Sequence, residues 1–396
     1  MTASRRLRVA FLHLHLGMGG AARLTLAAAQ HLHQCGHEVV VFTTRFDATQ
    51  ALDEARGLVV RVRASWLPAH LAERARAACS VARMAALTSA AAAEGPFDLA
   101  FCDLVPHVVP FLKWRLAVPV IFYCHFPDLA LAPSGGWLRR LYRAPLDWLE
   151  RRGMRRADRV LVNSRFTEAA VRRLCGEALP LQRLYPAVPL VDSPGPSPAR
   201  SDGTAMILSI NRFAPSKNLP LAIEALQQLR HRLTPSAFAG VRMVVAGGFD
   251  AGRADDRQAV AAVRERIAQY GLGDVVTVQT SCSDEARQTL LSQCRCVIYT
   301  ALDEPFGLVP LEAMAAGRPV VGIAQGGLLE TVVPGETGIL CPPEPAAVAD
   351  ALARLITDGD DAARMGAAGR AHVAAHFSAR RFGVELDAVV QRLVGR

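Results

Sequence analysis

Two glutamates, Glu304 and Glu312, lie on either side of a predicted helix start and could carry out sugar chemistry. Pro305 interrupts the chain after an apolar run, and Phe306 to Ala316 has the composition of a short helix that Gly317 ends. A helix start exposes unpaired backbone N–H groups that suit a phosphate, and a carboxylate can hold a vicinal diol through two hydrogen bonds. The pattern indicates a site for a phosphorylated sugar, but two solvated glutamates beside a helix would fit it equally.

Two cations lie in a similar position earlier in the chain. Arg212 and Lys217 follow the predicted strand Met206 to Ile210 and precede a helix that starts at Leu219. Two positive side chains that converge on a helix amino terminus favour binding of a diphosphate. The sequence therefore predicts that this segment and the pair of glutamates belong to one ligand site.

Three glycine pairs occur where predicted strands lead into helices. They are Gly19-Gly20, Gly247-Gly248 and Gly326-Gly327. The first belongs to Gly17-Met18-Gly19-Gly20, which is not a G-x-G-x-x-G motif, so a bound dinucleotide is not expected. It is a possible phosphate-approach site, although tight-turn packing explains the same residues.

Histidines give a weaker indication of chemistry. His125 and Asp128 follow the predicted strand Val118 to Tyr123, where open α/β sheets bind ligands, but a single histidine is also common in a structural role. Five further histidines have no ligand-like pattern of cysteines or carboxylates around them, so no metal site is predicted. They are His13, His15, His31, His33 and His37. The D-x-D sequence at 358–360 is expected in a polar turn between carboxyl-terminal helices.

The elements that must position these residues alternate between strand and helix patterns along the chain. This alternation predicts an α/β protein with parallel sheets. Composition changes at residues 191–203, which are rich in Pro, Ser, Asp and Gly and predict a linker. We therefore expect a first domain over residues 1–190, completed by a last helix at 378–396, and a second domain over residues 204–377.

Charge is distributed unevenly. The net charge is +9, and residues 137–173 contain eleven arginines against four acidic residues, with Trp and Leu interspersed at helical spacing. This composition is typical of a helix on an anionic membrane surface, although a core-packed helix with a solvated basic face fits equally. No nucleic-acid motif accompanies the charge, so nucleic acid is not an expected partner. The longest stretches without a charged residue reach only 14 residues, too few to span a bilayer.

The chain contains nine cysteines, and none of them form a C-x-x-C pair. This pattern indicates reduced thiols.

The order and spacing of these elements resemble the retaining glycosyltransferases of family 4, which have the GT-B fold of two Rossmann-like domains facing a cleft. The resemblance rests on Arg212 with Lys217, Gly247-Gly248, the Glu304 and Glu312 pair, and Gly326-Gly327-x-x-Glu330. Several further segments resemble the mannosyltransferases that add α-1,3- and α-1,6-linked mannose to dolichol-linked oligosaccharide. These segments are 122–128, 141–148, 162–167, 184–186 and 209–213.

This resemblance implies roles for individual residues. Arg212 and Lys217 would neutralise the leaving diphosphate of GDP-mannose, Glu312 would hold the ribose, and Glu304 would hold the mannose. His125 would lie beside the sugar. The remaining donor contacts would come from the backbone of the glycine pairs Gly19-Gly20, Gly247-Gly248 and Gly326-Gly327 and of Phe306, Gly307 and Leu308. No metal or other cofactor would be required.

The resemblance also implies a location and partners. The enzyme would act on a lipid-linked oligosaccharide at the cytosolic face of the endoplasmic reticulum, attached peripherally through residues 137–173 and through Val108, Phe111 and Trp114. Other glycosyltransferases of the pathway are possible partners. Two alternatives are compatible with the sequence: a GT-B enzyme that uses another nucleotide-sugar to make a glycolipid or polysaccharide, and a non-catalytic subunit that binds a membrane surface.

Overall fold

The computed structural model describes residues 5–17, 19–46, 55–70, 75–131, 137–190 and 204–395. The chain divides into two compact units, residues 1–187 with 379–396 and residues 188–378. The predicted boundaries were 190 and 378. The predicted linker, 191–203, lies outside the described residues, as does Met18 of the first glycine turn.

The first unit is built on a parallel sheet with helices on both faces. Its strands are β1 Arg8–His13, β2 Glu38–Thr43, β3 Val59–Val62, β4 Leu99–Asp103, β5 Val120–Cys124, β6 Arg159–Val162 and β7 Leu181–Arg183. Its helices are α1 Gly20–Gln34, α2 Arg76–Glu94, α3 Val109–Leu116, α4 Asp128–Leu131, α5 Trp137–Arg156 and α6 Arg165–Cys175, with a 3-10 turn at Pro106–Val108. The strand order is β3-β2-β1-β4-β5-β6-β7.

The second unit repeats this architecture with a six-stranded parallel sheet. Its strands are β8 Ala205–Ile210, β9 Val241–Gly247, β10 Val276–Thr280, β11 Cys296–Tyr299, β12 Val320–Ile323 and β13 Gly338–Cys341. Its helices are α7 Leu219–Arg230, α8 Pro235–Ala239, α9 Ala254–Gln269, α10 Asp284–Gln293, α11 Leu308–Ala315, α12 Leu328–Thr331, α13 Pro345–Thr357 and α14 Gly359–His376. The strand order is β10-β9-β8-β11-β12-β13, and a last helix, α15 Ala379–Val394, belongs to the first unit.

The central strands are continuous apolar runs because helices cover both faces of each sheet. In the first unit, Phe11 of β1 pairs in register with Val41 of β2 and Phe101 of β4, and all three are buried. The last helix joins the same core through Phe382 and Leu386. An apolar face on α15 therefore explains why the chain returns to the first unit at its end.

Two details of the fold differ from the sequence predictions. The helix after Glu304 starts at Leu308 rather than Phe306, because Gly307 adopts a left-handed conformation with a φ of 93° just before it. The D-x-D sequence was expected in a turn between helices, but only Asp358 lies between α13 and α14, since Gly359 and Asp360 belong to the first turn of α14. There the Asp358 side chain caps α14 by accepting a hydrogen bond from the Asp361 backbone N–H at 2.9 Å.

Candidate active site

Strands β8 and β11 are neighbours in the second sheet, so the residues at their carboxyl ends meet. Lys217 follows β8 in a 3-10 turn at Pro215–Lys217, and Tyr299 ends β11. The Lys217 ammonium lies 3.0 Å from the Tyr299 hydroxyl and forms an ion pair with Glu304. The Tyr299 hydroxyl donates to Glu304 at 2.9 Å. The fold therefore places Lys217, Tyr299 and Glu304 in one polar group, hereafter the Lys217 cluster.

The Lys217 cluster is partly open to solvent. The side chains of Lys217 and Glu304 are each 19% exposed, whereas Tyr299 is buried. Burial, reinforced by the charge of Glu304 and the hydrogen bond to it, raises the pKa of Tyr299 well above its usual value. Tyr299 therefore stays a neutral hydrogen-bond donor, while the two charged partners remain accessible to a ligand.

Arg212, the second predicted cation, follows the same strand as Lys217 and is exposed. Within the described part of the chain its side chain makes no ion pair. The backbone beside it is fixed, because the N–H of Phe213 donates to the carbonyl of Gly248 at 3.0 Å. An exposed guanidinium that follows the same strand as the partly exposed Lys217 is suited to an anionic ligand.

Glu312 has a partner that was not predicted. On α11, its carboxylate forms an ion pair with Arg287 of α10, and the side chains of both residues are about one-fifth exposed. Arg287 also approaches Asp284 at 3.6 Å. Glu312 is thus held in an ion pair, and a diol ligand would have to compete with a guanidinium for it.

Two glycine pairs of the second unit allow close approaches of backbone to backbone. A Cβ atom at Gly247 would lie 1.6 Å from the carbonyl oxygen of Asn211, and one at Gly326 would lie 2.4 Å from that of Glu304. The N–H of Gly327 donates to the Glu304 carbonyl at 2.7 Å. This N–H group therefore positions the Glu304 loop, and contacts of Gly326 and Gly327 with the donor stay a prediction.

The other predicted donor contacts of this unit lie near that loop. Gly248 has open space where a side chain would project. Phe306 is buried and contacts the ring of Phe377 at 5.8 Å, so it contributes packing. Gly307 and Leu308 form the start of α11, whose first backbone N–H groups have no partner within the helix.

The first unit contains a second polar group, at the carboxyl ends of the adjacent strands β1, β4 and β5. Asp103 ends β4, and its carboxylate lies 2.8 and 2.9 Å from Nδ1 of His13, the last residue of β1. Its Oδ2 atom also accepts from Thr25 at 3.0 Å and lies 3.0 Å from Nε2 of His125. We call His13, Thr25, Asp103 and His125 the Asp103 cluster.

The environment of the Asp103 cluster favours its charged forms. Burial by itself would raise the pKa of Asp103, but the charge of His13 and hydrogen bonds from His125 and His13 lower it well below its usual range. Burial would lower the pKa of His13, but the charge of Asp103, its hydrogen bond and one to the His15 carbonyl raise it. Asp103 and His13 therefore form a buried ion pair.

The backbone of His125 is also fixed. Its carbonyl accepts from the Asn163 amide at 2.8 Å and from Thr167 at 3.3 Å, and its ring packs on Tyr123 with centroids 4.9 Å apart. Asp128, predicted to accompany it, instead pairs with Arg143 at 2.6 Å. The acidic partner of His125 is Asp103 because parallel neighbouring strands bring their ends together.

The remaining predicted residues of this unit, Gly19 and Gly20, are exposed at the start of α1. The Gly19 carbonyl accepts from the N–H of Arg23 at 3.1 Å, and no atom lies within 4 Å of a Cβ built at Gly19. Packing therefore does not require glycine at position 19, although tight-turn packing was the favoured explanation. The backbone there is accessible to a ligand.

Five residues of the two clusters and their surroundings were not predicted from the sequence. They are His13, Thr25, Asp103, Tyr299 and Arg287. His13, Asp103 and Tyr299 each end a strand, so the rule that located His125 could have found them. Arg287 lies within a helix, and its sequence context gives no indication of a partner 25 residues away.

Two family models match the chain. Residues 18–191 match glycosyltransferase family 4, and residues 196–372 match the glycosyl transferases group 1. Together they cover most of both units. The glycosyltransferase domains predicted from the sequence are thereby confirmed.

Relatives with named activities match the chain over almost its whole length, as the family models do. The human α-1,3/1,6-mannosyltransferase ALG2 is 38% identical over 98% of this chain and 96% of its own length. The Schizosaccharomyces pombe enzyme of the same name is 34% identical over 97% of this chain and 81% of its own.

Among solved structures, sucrose-phosphate synthase from Thermosynechococcus elongatus has a TM-score of 0.82 at 22% identity, covering 98% of this chain and 100% of its own. WaaG, a glycosyltransferase involved in lipopolysaccharide biosynthesis, has a TM-score of 0.72 at 17% identity, covering 96% and 99%. At these identities the structures establish the GT-B fold alone. Together with the full-length relatives, they show that the chain is a GT-B glycosyltransferase that belongs to the α-1,3/1,6-mannosyltransferase family.

Proposed function

We propose that this protein transfers mannose from GDP-mannose to a dolichol-linked oligosaccharide, with retention of configuration, forming the α-1,3 and then the α-1,6 linkage. The observation that carries the proposal is 38% identity over 98% of the chain with a relative that bears this activity in its name. The acceptor is Man1GlcNAc2 linked through a diphosphate to dolichol.

The donor diphosphate is assigned to the second unit. Arg212 and Lys217 lie past the end of β8, and both can reach solvent. A diphosphate carries more charge than a carboxylate, so it would displace Glu304 from Lys217. Cations on the leaving group stabilise the charge that grows in the transition state, which lowers the barrier.

Release of Glu304 from its ion pair gives this residue a second role. A freed carboxylate accepts hydrogen bonds from sugar hydroxyls, and the Tyr299 hydroxyl keeps it oriented at 2.9 Å. In the same way, the ribose diol would displace the Arg287 side chain from its ion pair with Glu312 and form hydrogen bonds with the carboxylate. Donor binding is therefore an exchange of partners at two existing ion pairs.

The transfer step is a substitution on one face of the sugar. The bond between the anomeric carbon and the diphosphate oxygen breaks, and a bond from the acceptor oxygen forms on the same face. The acceptor proton passes to the leaving phosphate, so no protein nucleophile or metal ion is needed. In the first unit, His125 would contact a hydroxyl of the transferred mannose.

We assign membrane contact to α5. Its exposed apolar side chains are Trp137, Leu141 and Trp148, which are 72%, 68% and 58% exposed. Arginines are exposed along the same helix, at positions 140, 151, 152, 155 and 156. A helix with exposed aromatic and basic side chains suits peripheral binding to anionic lipid, at about 1 kcal/mol per arginine.

The other predicted membrane contacts have different outcomes. Val108 is buried in the core of the first unit, so its predicted membrane role is wrong. Phe111 is half-buried, whereas Trp114 is exposed and stays a candidate. In the described ranges, no helix meets the length and hydropathy needed to cross a membrane. We propose attachment at the cytosolic face of the endoplasmic reticulum, where other glycosyltransferases of the pathway are candidate partners.

The test of the proposed function is transfer of mannose to a Man1GlcNAc2-diphosphate lipid, analysed for both linkages. Thermal unfolding with GDP-mannose, UDP-glucose and UDP-N-acetylglucosamine identifies the donor, because a bound ligand stabilises by mass action. We expect product and stabilisation with GDP-mannose alone. Stabilisation by a UDP-sugar together with no mannose transfer would instead support a different GT-B activity.

The membrane assignment has its own test. We expect the protein to float with phosphatidylserine-containing liposomes at low salt and to be released as ionic strength rises. Replacing Trp137, Leu141 and Trp148 by serine should abolish flotation without changing transfer to a short-chain, soluble acceptor. Flotation that is unchanged in this variant would show that α5 is not the contact.

A further inference from the structure

The carboxylate of Asp103 is the most confined charge of the first unit. Its side chain is 0% exposed, and among the described residues it contacts three side chains: His13, Thr25 and His125. A buried carboxylate is unfavourable unless it is paired and hydrogen-bonded. Only one of its three partners, His125, reaches solvent, with a side chain that is 21% exposed. A ligand in solvent can therefore be influenced by the buried ion pair only through a contact with His125.

The hydrogen bonds of the cluster determine which nitrogen of His125 carries its proton. Asp103 is ionised and can only accept, so the Nε2 atom that faces it at 3.0 Å must carry a hydrogen. His13 supplies the balancing charge, and its own Nε2 is engaged by the carbonyl of His15 at 3.0 Å. In neutral His125 the other nitrogen, Nδ1, is then a hydrogen-bond acceptor. Nδ1 has no partner among the described residues.

We propose that Asp103 is a positioning residue for sugar transfer, which holds His125 in the Nε2–H tautomer so that Nδ1 accepts a hydrogen bond from a sugar hydroxyl. This proposal rests on the proposed function, in which His125 contacts the substrate. His13 is the buried counter-ion that keeps Asp103 ionised. If the carboxyl group of Asp103 were neutral, it could donate a hydrogen bond to Nε2 of His125. His125 could then adopt the opposite tautomer, in which Nδ1 carries the hydrogen and is a donor.

The first test measures the wild-type protein, and a variant serves only to assign its signals. Nitrogen-15 chemical shifts of histidine-labelled full-length protein, assigned by loss of one signal set in His125→Asn, report the tautomer of His125. We expect the Nε2–H form at neutral pH. A dominant Nδ1–H form would overturn the proposal. This readout does not depend on activity, so it stands even if the wild type transfers no mannose, a result that would refute the proposed function instead.

The second test separates positioning from stability. In Asp103→Ala we expect kcat to fall by about 10-fold to 100-fold, with the donor KM nearly unchanged and His125 in a mixture of tautomers. Thr25→Val is the matched control, because it removes a different hydrogen bond to the same Oδ2 atom and leaves His125 anchored. A lower melting temperature with unchanged kcat per folded molecule and an unchanged tautomer would show a structural role only.

A different observation supports a second inference, at the other end of α1. His31 and Cys35 lie one helical turn apart, and Asp387 of α15 faces both. The distances are 3.1 Å from His31 Nε2 to the Asp387 carboxylate, 3.5 Å from His31 Nε2 to Cys35 Sγ, and 3.6 Å from Cys35 Sγ to the carboxylate. These three atoms form a compact set of imidazole, thiol and carboxylate ligands.

The spacing of these atoms matches a tetrahedral zinc centre. Zinc bond lengths of about 2.0 Å to N or O and about 2.3 Å to S place tetrahedral ligands about 3.3 Å apart for N and O, and about 3.5 Å apart where sulfur is involved. Glycine at position 383 leaves the space that the His31 ring occupies. A Cβ atom at Gly383, one turn before Asp387, would lie 2.1 Å from Cε1 of that ring.

We infer that His31, Cys35 and Asp387 bind a divalent metal ion of the zinc type, with the fourth position open to water. Zinc binds the thiolate form of cysteine, so metal binding would release the proton of the Cys35 thiol to solvent. The ion would tie α15 to α1 and is separate from the transfer chemistry, for which no metal is proposed.

The test uses Co²⁺ and Zn²⁺ with the full-length protein. We expect Co²⁺ to produce a thiolate charge-transfer band with tetrahedral d–d absorption, and Zn²⁺ to raise the melting temperature. Both effects should be lost in Cys35→Ser and His31→Gln. They should persist in Cys282→Ser, a matched change of a half-exposed thiol in the second unit. No cobalt thiolate band, or one that survives Cys35→Ser, would overturn the inference.

Discussion

The two polar clusters at the strand ends differ in how far solvent reaches them. In the Asp103 cluster the carboxylate is 0% exposed and keeps all of its partners inside the first unit. In the Lys217 cluster both charged side chains are 19% exposed. If a buried ion pair exchanges partners, a charge is left unpaired in the protein interior, which is unfavourable. A partly exposed ion pair can exchange partners at little cost, because water solvates the charge that is released. The first cluster is therefore suited to orienting a group and the second to binding an anion.

The largest effect is expected from His13→Gln, which leaves Asp103 buried without its counter-ion. We expect a loss of about 3–5 kcal/mol in the free energy of unfolding, measured with urea at pH 6. Thr25→Val, which removes only one neutral hydrogen bond to the same carboxylate, should cost about 1 kcal/mol. Equal losses in the two variants would show that the charge of His13 contributes nothing.

The loss of unfolding free energy in His13→Gln should depend on pH, because both members of the ion pair titrate. The pKa of His13 is raised in the folded protein, so its contribution is complete below about pH 6.5 and is lost as pH rises through the folded value. The pKa of Asp103 is lowered, so its contribution is present above about pH 3.9 and is lost as pH falls below that value. The stability difference between wild type and His13→Gln should therefore peak between about pH 4 and pH 6.5 and decline on either side.

The next largest effect is expected at Lys217. In Lys217→Ala we expect kcat/KM for mannose transfer to fall by about 100-fold to 1000-fold, because a cation on the leaving diphosphate is lost. Lys113→Ala is the matched control, since the only other lysine pairs with Asp158 in the first unit at 2.7 Å. Undiminished transfer by Lys217→Ala would refute the proposed mechanism.

A smaller effect is expected from Tyr299→Phe, which removes the hydroxyl between Lys217 and Glu304. The loss of the hydrogen bond from Tyr299 to Glu304, at about 1 kcal/mol, predicts a decrease of about 5-fold in kcat/KM. Steady-state kinetics with varied GDP-mannose should place the change mainly in kcat, because Tyr299 orients Glu304 toward the reacting sugar. A decrease as large as that of Lys217→Ala would contradict an orienting role.

The smallest effect is expected from Arg287→Ala, which frees Glu312 from its ion pair. The pair is partly exposed, so its loss should change stability by less than about 1 kcal/mol and lower the donor KM by no more than about 3-fold. Isothermal titration with GDP measures the change directly. Markedly weaker GDP binding would show that Arg287 contacts the nucleotide itself instead of competing with it.

Much of the second unit's site could be predicted from sequence because local features indicate it. Arg212, Lys217 and Glu304 follow strands, and Glu312 lies one turn into the short helix that comes next, so short stretches of sequence are enough to recognise these positions. Their partners could not be found in this way. Arg287 meets Glu312 through the packing of α10 near α11, and no local pattern in the sequence indicates such a contact between two helices.

The first unit shows the same limit more clearly. His125 could be singled out from its position after β5, but the sequence suggested Asp128 as its acidic companion. The structure pairs it with Asp103, because β4 and β5 are neighbours and their ends coincide. Histidines 13 and 31 have no ligand-like spacing along the chain. The partner of His31, Asp387, lies 356 residues away in sequence and becomes a neighbour only when α15 packs on α1.

The α/β architecture, the division into two units and the candidate residues for glycosyl transfer could all be predicted from the sequence. These predictions depend on apolar periodicity, helix and strand breakers and strand-end residues, which act over short stretches of chain. The pairing of charges and the depth of their burial arise only when the elements pack together. Strand order brings His13, Asp103 and His125 together and places Lys217 beside Glu304. Burial then makes the first group a closed, orienting cluster and leaves the second open, because desolvation depends on every neighbour that surrounds a charge.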